Sequence, residues 1–71
     1  MEFLLVCFSE VRNVLANGIV QGRVGEIIQL EKGTHIISLQ SPPQNFRPKQ
    51  KKIVLAGTSV LTPQEVTFEK I

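Results

Sequence analysis

The stretch Val14 to Gln40, VLANGIVQGRVGEIIQLEKGTHIISLQ, limits this chain most tightly: its apolar runs are cut after a few residues by Asn17-Gly18, Gly22, Gly25 and Lys32-Gly33. Long helices do not fit between such breaks, because glycine costs a helix interior about 1 kcal/mol and Asn-Gly favours a tight chain reversal. Short strands fit. In Thr34 to Gln40, period-two alternation sets His35, Ile37 and Leu39 on one face against Thr34, Ile36, Ser38 and Gln40 on the other. Glu26 to Leu30 reads likewise. Glu31-Lys32-Gly33 between them predicts a hairpin with Gly33 in the left-handed position.

The rest of the chain continues the pattern. Phe3 to Phe8, Val11 to Ala16, Ile19 to Gln21, Lys52 to Ala56 and Glu65 to Glu69 bring the total to about seven short strands. Two segments carry competing signals. Ser9 to Gly18 offers a helix N-cap at Ser9 and a stop at Asn17-Gly18, but Asn-Gly between VLA and IVQ is the stronger hairpin signal. Thr62 to Glu65 matches a capping box with Pro63 at the first helical position, yet Val66 and Phe68 lie two apart, a strand spacing. The reading is an all-β single domain, a small antiparallel β-sandwich with a small β-barrel as the alternative. Ser41 to Lys51 reads as the one real loop, where Pro42, Pro43 and Pro48 remove ladder donors.

Taken in order, these signals resemble the PEGA domain, a prealbumin-like β-sandwich module. FLLVCF is similar to that family's first strand, VLANGIVQG to its turn pair, IIQLEKGTHIISLQ to its central hairpin and NFRPKQKKIVLAGTSVLTPQEVTF to its closing part. The chain has SEVRN where the name-giving Pro-x-Gly-Ala stretch stands in the family. The resemblance implies an accessory module, attached to other domains or carried on surface-exposed proteins, with no catalytic residues to transfer.

Size restricts what can be spared for function. A chain of 71 residues buries only ~60% of its unfolded surface, so nearly every long apolar side chain is needed inside. Cys7 is the single cysteine, which rules out an internal disulfide, and the apolar run Phe3 to Phe8 follows Glu2 with no basic segment before it, unlike a signal peptide. No run approaches the ~20 apolar residues of a membrane span. The chain reads as soluble as it stands: cytoplasmic if it is a whole protein, exported or surface-exposed if it is a module of a longer one.

Raw material for chemistry is scarce. There is no Asp, one His and one Cys, so a Ser-His-Asp triad and an Asp-rich calcium loop are excluded and a four-ligand zinc site is short of donors. His35 and Ser38 lie on opposite faces of one strand. The glycines form neither a dinucleotide fingerprint nor a phosphate loop. No cofactor, metal or catalytic residue is therefore expected.

Charge is more informative. Residues 33 to 64 hold Arg47, Lys49, Lys51 and Lys52 with no acid, or +4, while the remainder holds four basic and six acidic residues, or −2, giving +2 in all. In an extended chain fixed by Pro48, Arg47, Lys49 and Lys51 project to one side and Lys52 to the other, and Phe46 is the one ring expected to stack, since Phe3, Phe8 and Phe68 are wanted by the core. These five residues are the candidate partner-binding or anion-binding set. The leading expectation is a non-enzymatic module that presents its surface and edge strands to another protein or domain. The alternative is a small nucleic-acid-binding barrel using residues 47 to 52, whose contacts to about four phosphates would make binding fall steeply with salt.

Overall fold

The computed structural model describes residues 1–41 and 45–71, and the readings made for Pro42 and Pro43 lie outside them. Among the described residues there are nine strands and no helix. They are β1 (Glu2–Cys7), β2 (Asn13–Ala16), β3 (Ile19–Arg23), β4 (Ile27–Leu30), β5 (Gly33–Leu39), β6 (Phe46–Arg47), β7 (Lys51–Leu55), β8 (Gln64–Thr67) and β9 (Glu69–Lys70). The seven expected strands are all present. The two additional ones, β6 and β9, are two residues long and pair only with each other, a length too short to show alternation in the sequence.

The strands form a three-stranded sheet ordered β4-β1-β8 and a four-stranded sheet ordered β3-β2-β5-β7. Their inner faces pack together. Leu4, Val6, Ile28, Leu30 and Val66 come from the first sheet and Val14, Ala16, Ile37, Leu39 and Leu55 from the second, all buried. Phe46 and Phe68 close one end, and Phe46 meets Phe8 and Phe68 edge to face at 6.0 and 5.8 Å between ring centroids. That geometry places the positive ring edge against a negative ring face.

Both contested segments are strands. Asn17 and Gly18 turn β2 into β3 with φ of 55° and 83°, the two positive angles that a type I′ turn requires. Gln64–Thr67 lies along β1 with Val66 buried, where pairing supplies more than one capped turn of helix could.

Three connectivity expectations are corrected. The segment Glu31-Lys32-Gly33 does not close a hairpin, because β4 pairs with β1 and β5 pairs with β2 and β7. Gly33 does have a positive φ, 132°, but it begins β5 opposite Leu55 after the chain has crossed between sheets. Gly57-Thr58-Ser59, which in the sequence reads as a hairpin bend, likewise joins strands of different sheets. Finally, the sandwich is not purely antiparallel: β8 runs parallel to β1, with Val66 opposite Val6.

Two close contacts hold the layers in place. Gly22 sits inward opposite Val14, where a Cβ atom would lie 2.7 Å from Ile28 Cγ1 of the facing sheet. Glu2 accepts hydrogen bonds from Thr58 N (3.0 Å) and Thr58 Oγ1 (2.7 Å), while Thr58 Oγ1 accepts one from Phe3 N (2.7 Å). This pins the β7–β8 crossover to the start of β1.

Candidate docking surface

Antiparallel register fixes which side chains share a face, because directly opposed residues point the same way. On the four-stranded sheet Leu15 opposes Val20 and Ser38, Ile36 opposes Lys52, and Thr34 opposes Val54. Leu15 alternates with buried Val14 and Ala16, and Ile36 and Val54 each adjoin a buried residue, Ile37 and Leu55, so these residues and those opposed to them lie on the outer face. Leu15, Val20, Ile36 and Val54 form an apolar band there. Val20 and Val54 are 48% and 66% exposed, Leu15 and Ile36 are half-buried, and no described element covers them. The other sheet has a weaker counterpart in half-buried Phe3 and Leu5 and exposed Ile27.

The band continues into polar recesses at one end of the sheet. One, of about 460 Å³, is lined by Val11, Arg12, Asn13, Arg23, Gln40 and Ser41. A second, of about 360 Å³, shares Gln40 and Ser41 and adds Leu15, Ser38, Leu39, Lys49 and Gln50. The walls are held by hydrogen bonds. Asn13 Nδ2 donates to Gln40 Oε1 (2.6 Å), Gln40 N donates to Asn13 O (2.9 Å), and Arg12 Nη1 donates to Gln40 O (3.0 Å). The Arg12 guanidinium also lies 5.5 Å from the centroid of the Phe46 ring, a cation–π distance.

Charge divides between the layers. The four-stranded sheet contains Arg23, Lys51 and Lys52 and no carboxylate, since Glu2, Glu10, Glu26, Glu31, Glu65 and Glu69 all lie on other elements or in turns. Two of these carboxyls are held below the ordinary value of 4.5. For Glu2 the largest cause is the Thr58 hydroxyl, then the Thr58 N–H. For Glu10 it is the Lys70 ammonium at 2.9 Å, then the Asn45 amide at 3.2 Å.

The five residues of the sequence-derived set do not stay together. Phe46 is 2% exposed and belongs to the core, so the ring expected to stack on a ligand is unavailable. Its apolar surface is worth more inside a core this small than in water. Arg47 pairs across β6 and β9 with Glu69 at 3.3 Å, both side chains well exposed. Arg47 and Lys51 line a third recess with Pro48, Thr67 and Glu69, whereas Lys49 lines the recess beside Gln40 and Lys52 stands on the outer face. The predicted stripe of Arg47, Lys49 and Lys51 is thus split between two recesses, and Lys52 stands apart from both. What the sequence missed is the pairing of Arg23 with Asn13 across the β2–β3 hairpin, which brings a distant arginine to the same end as Lys49.

His35 and Ser38 do lie on opposite faces of β5, as the alternation required. The His35 ring is fully engaged. Nε2 is 2.7 Å from Glu31 O, which can only accept, so Nε2 carries the proton and Nδ1 accepts from Asn17 Nδ2 at 3.2 Å. Among the described residues no group of three His, Cys or Glu side chains converges to hold a metal ion, and no helix is long and apolar enough to cross a membrane. Cys7 makes no disulfide.

Comparison with known proteins returns no matching family model, no matching curated sequence and no matching solved structure.

Proposed function

We propose that this chain is a non-catalytic β-sandwich module that docks another polypeptide on the outer face of its four-stranded sheet. One observation carries the reading: a chain of 71 residues leaves Leu15, Val20, Ile36 and Val54 outside its core as a diagonal apolar band on one sheet face, edged by Thr34, Ser38 and Lys52. Marginal stability makes that placement costly in so small a domain, and apolar patches rimmed by polar groups mark interaction sites. The resemblance to PEGA modules agrees with an accessory role. The nucleic-acid alternative has less support, since its stacking ring, Phe46, is in the core and Arg47 is paired with Glu69.

The test is selection of binders from a displayed random-peptide library, followed by amide chemical-shift mapping on the ¹⁵N-labelled chain. Selected peptides are expected to shift Leu15, Val20, Ile36 and Val54 saturably. The double variant Val20→Lys, Val54→Lys is expected to lose binding while keeping its melting temperature. Peptides that map elsewhere, or that bind the double variant equally well, overturn the reading.

A further inference from the structure

Resting on the docking reading above, we infer that the partner segment is acidic and extended, and that its carboxylates are received by Arg23 and Lys49 at the two ends of the paired recesses. The recesses are contiguous through Gln40 and Ser41, and Leu15 joins them to the apolar band. Among the described residues their lining includes Arg12, Arg23 and Lys49 and no carboxylate, and the whole four-stranded sheet is free of acid. A guanidinium presents a planar fork of donors that matches a carboxylate, and a wall already fixed by the Asn13–Gln40 and Arg12–Gln40 bonds loses little freedom on binding.

Spacing makes the partner more specific. From Arg23 on β3 to Lys49, two residues before β7, a crossing segment spans about three inter-strand gaps, about 14 Å, or about four residues of extended chain. In an extended chain residues i, i+2 and i+4 face the same way. A Glu-x-apolar-x-Glu pattern therefore points both carboxylates and the central apolar side chain at the sheet, the apolar group meeting Leu15. Oligonucleotides carry the right charge but need stacking surfaces, and among the described residues no aromatic ring lines either recess.

The experiment compares peptides with Glu-Thr-Val-Thr-Glu, Gln-Thr-Val-Thr-Gln and Lys-Thr-Val-Thr-Lys cores, and oligothymidylate, by fluorescence anisotropy and amide shifts. The Glu peptide is expected to bind about tenfold more tightly than the Gln peptide, with the advantage shrinking from about 50 to about 200 mM salt. Arg23→Gln and Lys49→Gln should each remove severalfold of that advantage and leave the Gln peptide unaffected; both side chains are exposed, and a melting curve checks the fold. Equal binding of the Glu and Gln peptides overturns the acidic partner while leaving the docking reading intact. Preference for the Lys peptide or for oligothymidylate overturns it as well, by sign of charge or by class of ligand. If no peptide binds, the acidic pattern is wrong, and the library selection decides separately on docking.

Discussion

At the scale of single residues, the smallest side chain and two carboxyls hold the most specific positions. Gly22 is required by approach of the facing sheet, since an added methyl would meet Ile28 at 2.7 Å. Gly22→Ala should cost about 1 to 3 kcal/mol by overpacking, read as a lower urea midpoint. The double variant Gly22→Ala, Ile28→Ala should cost less than the sum of the two single variants, because the second change removes the obstructing atoms; full additivity would show that the contact is not the cause. Glu2 and Glu10 have folded-state pKa values below 4.5, so each contributes stability that is present above that value and is lost as pH falls through the folded one. Glu2→Gln cannot titrate. Its melting temperature should therefore decline less than that of the parent between about pH 6 and about pH 2, followed by circular dichroism. Parallel curves would remove Glu2 from the account. None of these roles is visible in the sequence, where Glu2 and Thr58 are 56 positions apart.

At the scale of elements, the β2–β3 turn is the best-determined feature. Asn17 takes a positive φ, its N donates to Ile36 O at 2.8 Å, and its Oδ1 accepts from Ile36 N at 3.0 Å. The turn therefore also anchors β5 and, through Asn17 Nδ2, the ring of His35. Asn17→Ala should cost about 1 to 2 kcal/mol in denaturant unfolding, from the strained φ together with the lost side-chain bonds. Asn17→Gly restores the angle but not the bonds and should fall between. If Asn17→Gly equals the parent, the side-chain bonds contribute nothing. Here the sequence was legible for a physical reason: a type I′ turn depends on two adjacent residues, and both are in view.

At the scale of the whole molecule, neighbouring residues differ most by where the sheets place them. Phe46 and Arg47 are adjacent, yet one fills the core between Phe8 and Phe68 and the other sits in an exposed ion pair. Phe46→Ala should cost about 3 to 5 kcal/mol, a large share of the roughly 4 to 10 kcal/mol available to a chain of this size, and leave a substantially unfolded population by circular dichroism. Arg47→Ala should stay within about 1 kcal/mol of the parent, as exposed pairs do. By itself the sequence determined the all-β class, the seven longer strands, the alternation along β5 and β8, and the Asn-Gly reversal, because period-two alternation and turn chemistry act over a few residues. Tertiary structure alone decided that β4 leaves β5 to join β1, that β8 runs parallel to β1, that Phe46 turns inward, and that Arg23 rather than Arg47 shares an end of the sheet with Lys49. Those outcomes depend on which distant strands bury each other's apolar faces, and nothing within one strand records its partner.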